Sequence, residues 1–363
     1  MRLALGGGGS GGHVFPALAV AQSLRACAQE DVELLYLGRA DGVEATITRD
    51  AGIPFRDVSA RPIRDRNVLA KLWSLGAMSW GVWDAARALR RFRADVVLVT
   101  GGFASVPVAV AARLLRIPVV LYQPDIVPGW AVRQLYRFAT RVCVTHKSSL
   151  ARAPKGKSVV TGYPLRAIFE EVDRPMARAR FHLNGSPTVL VAGAVQGARR
   201  INNALADDLP AWIEAMQVIH VTGPDDFRRM SSLRESLPET LRHRYQPFEY
   251  MGDDFPVALA AADLAVSRSG ASVLGEYPAS SLAAILVPLP IAGGHQRANA
   301  EMLAAAGAAV VMEDAETPDA LLPAVRELLQ DTERLQTMRD RAAAVAQPDA
   351  ARNIARVIWE ARK

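Results

Sequence analysis

The chain has 363 residues, a length that predicts two domains because a single hydrophobic core seldom grows so large. Half of the residues are hydrophobic and 22% are charged, which excludes a disordered chain, and two cysteines are too few for a disulfide scaffold. The formal net charge of +6 favours anionic partners such as phosphates and acidic lipids.

Short apolar runs alternate with helical stretches along the whole chain. Their β-branched character is typical of parallel strands that helices cover on both faces, and it predicts an α/β fold. The clearest predicted helices are 16–28, 83–92 and 350–362. The predicted strands are 3–5, 33–37, 96–100, 119–122, 142–145 and 159–161 in a first series, and 188–192, 218–221, 264–266, 284–287 and 309–311 in a second.

The two series of strands meet at Gly162-Tyr163-Pro164. Each series opens with a strand, a glycine-bearing turn and a helix. We therefore expect two Rossmann-like, doubly wound parallel-sheet domains facing a cleft. The expected boundaries are 1–162 and 163–349, with the last helix, 350–363, packing back on the first domain.

Three glycine turns follow predicted strands. Residues 6–12 contain six glycines and one serine, and they match the dinucleotide fingerprint in two frames; the other turns are 100–105 and 193–199. A glycine turn lets backbone N–H groups approach a phosphate, and the following helix N-terminus adds positive charge. For the turn at residues 6–12, the alternative is a tight strand–helix turn that binds no ligand. Three turns suit a pyrophosphate on each side of a cleft.

Five segments are more specific. They are 8–19 (Gly-Gly-Ser-Gly-Gly-His-Val-Phe-Pro-Ala-Leu-Ala), 101–105 (Gly-Gly-Phe-Ala-Ser), 196–202 (Gln-Gly-Ala-Arg-x-x-Asn), 268–271 (Arg-Ser-Gly-Ala) with Glu276, and 295–300 (His-Gln-x-x-Asn-Ala). In this order, over nearly the whole chain, they resemble the motifs of the MurG family, the lipid I N-acetylglucosaminyltransferases of bacterial peptidoglycan synthesis.

The resemblance implies a GT-B fold and an inverting transfer of N-acetylglucosamine from UDP-N-acetylglucosamine. The implied acceptor is undecaprenyl-pyrophosphoryl-N-acetylmuramyl-pentapeptide (lipid I), which becomes lipid II. It implies no cofactor and no catalytic metal. The first domain would bind the acceptor and the membrane, and the second the UDP-sugar donor. Such an enzyme acts at the cytoplasmic face of the plasma membrane, in cell-wall biogenesis, cell shape and cell division.

The resemblance also assigns roles to positions. Arg166 would pair with the donor diphosphate, Met251 would meet the uracil through its backbone, and Gln296 would hold the sugar. Glu276 would accept hydrogen bonds from the ribose hydroxyls; its alternative role is a surface helical acid. The donor-binding positions are Ser10, Gly11, Gly12, Asp125, Arg166, Val195, Met251, Ala271, Ser272, Val273, Leu274, Gly275, Glu276 and Gln296. The positions for the acceptor diphosphate are Gly9, Gly101 and Gly102.

His13 is the candidate catalytic base. Glycosyl transfer needs a base for the proton of the attacking hydroxyl, and histidine titrates near neutrality. A helix N-terminus favours the neutral, basic imidazole. Contact with an acceptor phosphate and simple packing are the alternatives. For His295 we leave open contact with the sugar or a loop cap, since no metal-ligand spacing joins it to another histidine.

Residues 69–82 form an apolar segment rich in tryptophan. Its predicted membrane-contacting residues, Leu72, Trp73, Trp80 and Trp83, lie near basic residues on both sides. This pattern favours an interfacial helix on an anionic membrane surface. The alternative is an ordinary buried helix with a solvated basic end. The first residues read as a strand and not as a signal peptide, and no apolar run of about 18 residues occurs, so we expect peripheral association only.

Three departures from the family pattern stand out. Tyr122-Gln123-Pro124-Asp125 replaces the common His-Glu-Gln-Asn, so position 125 loses an amide donor. Val195 replaces a serine and offers no side-chain hydrogen bond. Gly294 stands where an acid often precedes His-Gln.

Other functions stay open at this point. A transferase for another lipid such as diacylglycerol, or a UDP-sugar epimerase, would share the fold. An NAD(P)-dependent oxidoreductase could use the first turn, with Arg39 at a 2′-phosphate. A non-catalytic nucleotide-sugar-binding protein is the last alternative. No nucleic-acid-binding module is recognisable. The sequence names no protein partner.

Overall fold

The computed structural model describes residues 1–9, 11–28, 30–60, 68–193, 198–290 and 294–362, and of 68–77 it describes the backbone only. The chain forms two compact units. Unit 1 comprises Met1–Arg166 and Pro348–Lys363, and unit 2 comprises Ala167–Gln347.

Unit 1 is built on a parallel sheet whose central strands are buried. The order is β3-β2-β1-β4-β5-β6-β7, so the direction of winding reverses between β1 and β4. Every residue of β4 and β5 is buried, as expected for strands covered on both faces. The strands are β1 (Arg2–Gly6), β2 (Glu33–Gly38), β3 (Phe55–Asp57), β4 (Val96–Val99), β5 (Val119–Gln123), β6 (Arg141–Val144) and β7 (Ser158–Val160).

Unit 2 repeats this plan with the order β10-β9-β8-β11-β12-β13, again all parallel. The reversal lies between β8 and β11. The strands are β8 (Thr188–Ala192), β9 (Gln217–Val221), β10 (Tyr245–Phe248), β11 (Leu264–Ser267), β12 (Ala283–Leu286) and β13 (Ala309–Val311).

Helices cover both sheets. Those of unit 1 are α1 (Gly11–Cys27), α2 (Val43–Asp50), α3 (Val68–Phe92), α4 (Ser105–Leu114) and α5 (Trp130–Leu135). Those of unit 2 are α6 (Ile168–Glu171), α7 (Arg174–Arg180), α8 (Arg199–Asp207), α9 (Leu209–Ala215), α10 (Pro224–Ser236), α11 (Glu239–Arg242), α12 (Asp254–Ala261), α13 (Val273–Ala279), α14 (His295–Ala305), α15 (Thr317–Gln330) and α16 (Thr332–Ala344).

The last helix, α17 (Ala350–Ala361), belongs to unit 1. Its buried residues Ala351, Ile354, Ala355 and Ile358 recur at three- and four-residue spacing, which gives the helix one apolar face. It packs on α1 and against β4, β5 and β6.

The α/β prediction is confirmed, and each predicted strand lies on an observed one. The sequence analysis missed β3 and β10, short edge strands that contain polar residues or a proline and so lack the apolar signal. Two helices begin earlier than predicted. α1 begins at Gly11 and α3 at Val68, so the tryptophan-rich segment and the 83–92 helix are one continuous helix.

Candidate functional site

The reversal point of unit 1 brings two glycine turns together. β1 pairs with β4 so that Gly6 lies opposite Val99, and the Thr100 N–H donates to the Gly6 carbonyl at 3.0 Å. The turns that follow these strands are therefore neighbours. Open α/β sheets bind ligands at this place, outside the carboxyl ends of the strands.

His13 lies in the first turn of α1 and is tied to the second turn by two hydrogen bonds. Its Nδ1 is 2.8 Å from the carbonyl oxygen of Thr100, and the Thr100 hydroxyl donates to the His13 carbonyl at 2.6 Å. A carbonyl only accepts, so Nδ1 carries the hydrogen. In the neutral ring Nε2 is then the basic nitrogen.

Two positions of the second glycine turn, which follows β4, require glycine. Gly101 and Gly102 have φ angles of 106° and 78°. A Cβ on Gly102 would lie 2.0 Å from the Gly8 carbonyl oxygen, and one on Gly101 would lie 2.9 Å from Cε1 of His13. The backbones of the two turns are thus in close contact at Gly8 and Gly102, and the His13 imidazole packs against Gly101.

A buried carboxylate beside the first turn was not predicted. Glu44 accepts hydrogen bonds from the N–H groups of Gly9 and Arg39. The signal available in the sequence was the glycines at 8, 38 and 42, each of which leaves room for this side chain.

The segment Tyr122 to Asp125, which departs from the family pattern, is held in place by buried hydrogen bonds. Tyr122 and Gln123 are fully buried, and the Tyr122 hydroxyl shares a 2.7 Å hydrogen bond with that of Thr145. The Gln123 amide donates to the carbonyl of Asp125 at 2.9 Å and accepts from the Tyr136 hydroxyl. The first two residues of the segment therefore hold the loop that carries Asp125.

Two arginines of unit 1 differ in their surroundings. The Arg39 guanidinium donates to both carboxylate oxygens of Asp41, at 2.9 and 2.6 Å, so this charge already has a partner where the oxidoreductase hypothesis would place a 2′-phosphate. The Arg166 guanidinium lies over the ring of Phe15, 4.8 Å from its centroid. This cation–π contact places Arg166 beside α1.

The reversal point of unit 2 joins two of the motif segments. Ser267 lies opposite Ala192, so β8 and β11 end side by side. The Ser269 hydroxyl donates to the Gln296 carbonyl at 2.8 Å, and the Asn299 amide donates to the Ser269 carbonyl at 3.1 Å. The side-chain oxygen of Gln296 accepts from the Leu289 N–H at 2.9 Å.

The predicted donor residues on α13 are mostly buried. Glu276 is 8% exposed, so the alternative of a surface helical acid is wrong. Val273 and Leu274 point into the core, which leaves their backbone as the part that could contact a ligand. Met251, also buried, precedes α12, and α12 packs against α13.

Asn202 of the third motif belongs to a buried network. Its amide donates to the Thr222 carbonyl at 2.9 Å, and its oxygen lies 3.0 Å from Nε2 of His220. Since that oxygen accepts, Nε2 donates, and Nδ1 of His220 accepts from the Tyr245 hydroxyl. Burial lowers the pKa of His220 to about 3, which keeps the ring neutral. Asn202 therefore connects α8 to β9 and to Thr222, the second residue beyond that strand's His220, and its role is structural.

α3 presents tryptophans outward. Trp80 and Trp83 are 61% and 51% exposed, with ring centroids 5.1 Å apart, while Met78, Ala85 and Leu89 are buried. The described part is thus amphipathic, with one face buried and both tryptophans on the exposed face. None of the helices within the described residues has the length and apolar character needed to cross a membrane.

Some predicted positions cannot be placed. Ser10 and Val195 lie outside the described residues, as do the side chains of Leu72 and Trp73. Within the part of the chain that is described, no cluster of three His, Cys, Asp or Glu side chains could hold a metal ion.

Known proteins resemble the chain along its length. Residues 3–144 match the glycosyltransferase family 28 N-terminal domain, and residues 188–354 match the glycosyltransferase family 28 C-terminal domain. A relative from Roseiflexus sp. (strain RS-1) is 39% identical over 98% of this chain and 94% of its own length. Its name is UDP-N-acetylglucosamine--N-acetylmuramyl-(pentapeptide) pyrophosphoryl-undecaprenol N-acetylglucosamine transferase.

The chain belongs to glycosyltransferase family 28.

The solved structures agree with this assignment. MurG of Acinetobacter baumannii is 28% identical, with a TM-score of 0.74 and 99% of both chains covered. The predicted resemblance to the MurG family and the GT-B class of fold are therefore confirmed. The UDP-GlcNAc 2-epimerase of Neisseria meningitidis, solved with UDP-GlcNAc, reaches a TM-score of 0.68 over 99% of this chain and 100% of its own, at 14% identity. It shares the fold alone, so family 28 membership rests on sequence.

Proposed function

We propose that this chain transfers N-acetylglucosamine from UDP-N-acetylglucosamine to lipid I with inversion, forming lipid II. The observation that carries the proposal is near-full-length similarity, at 39% identity, to a relative named for this transfer. The arrangement of unit 1 supports it, because a histidine with a fixed tautomer stands at the junction of two glycine turns.

The roles proposed for the residues come from the family resemblance, and that arrangement supports them. Nε2 of His13 takes the proton of the attacking sugar hydroxyl, while Nδ1–H stays bonded to the Thr100 carbonyl. The turns at Gly9, Gly101 and Gly102 shape the place of the acceptor diphosphate. Arg166 offsets the charge that develops on the departing UDP.

The donor residues of unit 2 complete the proposal. Glu276 accepts hydrogen bonds from the ribose hydroxyls, Met251 meets the uracil, and Gln296 and Ala271 to Gly275 line the sugar and diphosphate. The bonds that join residues 268–271 to 295–300 support this grouping, since they hold two motif segments at one end of the sheet.

A label-transfer assay tests the function. Radiolabelled UDP-N-acetylglucosamine and a lipid I analogue are incubated with the protein, with and without EDTA. We expect label in the lipid product, dependent on the acceptor and unchanged by the chelator. Release of free N-acetylglucosamine, formation of an epimerised UDP-sugar, or binding of UDP-N-acetylglucosamine without turnover would each contradict the proposal.

A second candidate is transfer to another lipid. Asp125 lacks the amide donor common in the family at this position, and the buried pair Tyr122 and Gln123 fixes its loop. The same assay with diacylglycerol or with polyprenyl pyrophosphates lacking the peptide separates the two candidates. Label in these lipids in preference to lipid I favours the second.

We also propose that the protein binds peripherally to the anionic, cytoplasmic face of the plasma membrane through α3. The neighbouring Trp80 and Trp83 are exposed, and the Arg87 guanidinium lies 5.6 Å from the centre of the Trp83 ring. Indole rings with nearby arginines suit the headgroup region of an anionic leaflet.

The double substitution Trp80→Ala/Trp83→Ala tests the membrane surface. We expect its partition onto vesicles of phosphatidylglycerol and phosphatidylcholine to fall roughly tenfold or more, because both indoles lose their burial in the interface. Sedimentation of vesicles in low and high salt measures this, and high salt should also weaken wild-type binding.

Trp130→Ala is the matched control, because Trp130 is 43% exposed and lies on a different helix, α5. Equal binding by wild type and the double variant, or an equal loss in the control, would rule out α3 as the membrane contact.

A further inference from the structure

Glu44 is a carboxylate without solvent exposure in the first turn of α2. Its Oε2 accepts a hydrogen bond from the Gly9 N–H at 3.3 Å, and its Oε1 accepts one from the Arg39 N–H at 3.1 Å. One side chain therefore connects the turn after β1 to the turn after β2.

Three glycines surround this carboxylate. A Cβ on Gly8 would lie 2.2 Å from Oε1, and one on Gly42 would lie 2.4 Å from Oε2. A Cβ on Gly38 would lie 2.8 Å from Cγ of Glu44. Since real contacts are never so short, each glycine allows the backbone to approach the carboxylate. The Glu44 side chain is therefore closely packed on several sides by backbone, unlike an acid at the protein surface.

The contact with Gly9 changes the role of that residue. Gly9 has a φ angle of 88°, and its N–H is directed at Glu44. It contributes the shape of the turn, and its N–H serves the carboxylate. The N–H groups that would donate hydrogen bonds to the acceptor diphosphate are then the amides at the start of α1, the helix that also carries His13.

A buried carboxylate beside an anion site has an electrostatic cost, since it repels the ligand. Removing it while keeping its shape should then improve anion binding, unless the carboxylate serves another purpose. The hydrogen bonds of Glu44 indicate such a purpose. The two N–H groups that the carboxylate binds belong to two different turns, so it connects them. Charged acceptors make the stronger hydrogen bonds.

We infer that Glu44 is a positioning residue that fixes the first glycine turn, and with it the start of α1 and His13, for binding of the diphosphate-linked acceptor. The inference rests on the proposed function. The carboxylate acts through the Gly9 amide and does not touch the substrate.

The test compares Glu44→Ala and Glu44→Gln with wild type, with Asp41→Asn as control. Asp41 is a nearby exposed acid of the same charge, and its main partner is the Arg39 side chain. Initial rates are measured against both substrates, and UDP binding by calorimetry. For Glu44→Ala we expect the KM for the lipid I analogue to rise about tenfold or more and kcat to fall.

Donor binding serves as the internal reference. The Kd for UDP should stay within about twofold of wild type, since Met251, Glu276 and residues 271–275, which bind UDP in the proposed function, lie in unit 2. Glu44→Gln has one acceptor oxygen in place of two and should lie between wild type and Glu44→Ala. A purely structural role would reduce the amount of active enzyme, and hence kcat, without changing either KM.

Hydrogen exchange of peptides covering residues 6–14 tests the fixing of the turn directly. We expect faster exchange there in Glu44→Ala and wild-type exchange in Asp41→Asn. Unchanged exchange, an unchanged KM for the acceptor, or tighter acceptor binding by Glu44→Gln would overturn the inference. An inactive wild type would overturn the proposed function instead, and the exchange experiment would still decide the role of Glu44.

Discussion

Replacing His13 with alanine is expected to lower kcat by roughly 10²–10⁴-fold, the usual contribution of a general base. The Thr100 carbonyl accepts the hydrogen of Nδ1 and so leaves Nε2 as the proton acceptor. Alanine removes that nitrogen but leaves the donor residues of unit 2 in place. The Kd for UDP, measured by calorimetry, should therefore stay close to that of wild type.

His243→Ala is the control for this substitution, because His243 is exposed and belongs to unit 2. Single-turnover rates with lipid I analogue and labelled donor separate the chemical step from product release. His13→Gln adds a second comparison, since glutamine can still hydrogen-bond to a phosphate but cannot act as a base. Turnover equal to wild type in His13→Ala would remove His13 from the mechanism, and full activity in His13→Gln would leave it with a binding role only.

Much of the fold could be predicted because a parallel sheet has a strong local signal. Strands such as β4 and β8 are buried on both faces and therefore read as continuous apolar runs. β3 and β10 lie at sheet edges, where a strand is paired on one side only and polar residues are tolerated. Their sequences therefore lack the continuous apolar run. The start of α1 was placed too late because Gly11 and Gly12 are poor helix formers, whereas in the structure a hydrogen bond from Thr100 to the His13 carbonyl holds the first turn of the helix.

The candidate site was only partly accessible from sequence. The glycine turns could be recognised because φ angles such as that of Gly102 require glycine. The tautomer of His13 could not, since it depends on a carbonyl 87 positions away in the chain. Glu44 was missed for the same reason. Its partners come from two different turns, and a lone acid at the start of a helix looks like an ordinary surface residue until burial is known.

The two units divide the chemistry in a way that the substitutions can separate. His13 and Glu44 belong to unit 1, and Glu276 and Met251 to unit 2. Substitutions of His13 and Glu44 should act on the acceptor and on the chemical step, while substitutions of Glu276 and Met251 should act on UDP. Effects of residues that share no partner are usually additive. A variant that combines Glu44→Gln with Glu276→Gln should therefore show the sum of two independent losses.

Glu276→Gln is expected to weaken UDP binding by roughly 10–100-fold, because hydrogen bonds to a charged acceptor contribute on the order of 1.5–3 kcal/mol. The carboxylate can accept from both ribose hydroxyls, whereas glutamine offers one acceptor oxygen. Calorimetry with UDP and with 2′,3′-dideoxy-UDP isolates the contact. Wild type should lose affinity for the dideoxy ligand, and Glu276→Gln should lose less, because its single acceptor oxygen keeps only part of the contact.

The control is Glu239→Gln, which removes the same charge from an exposed position on α11. Because Glu276 is buried, thermal unfolding of each variant is needed to check that unit 2 remains folded. A folded Glu276→Gln protein that still discriminates between the two ligands as wild type does would show that Glu276 does not contact the ribose. The buried carboxylate would then stabilise α13 alone, and the ribose would need another acceptor in unit 2.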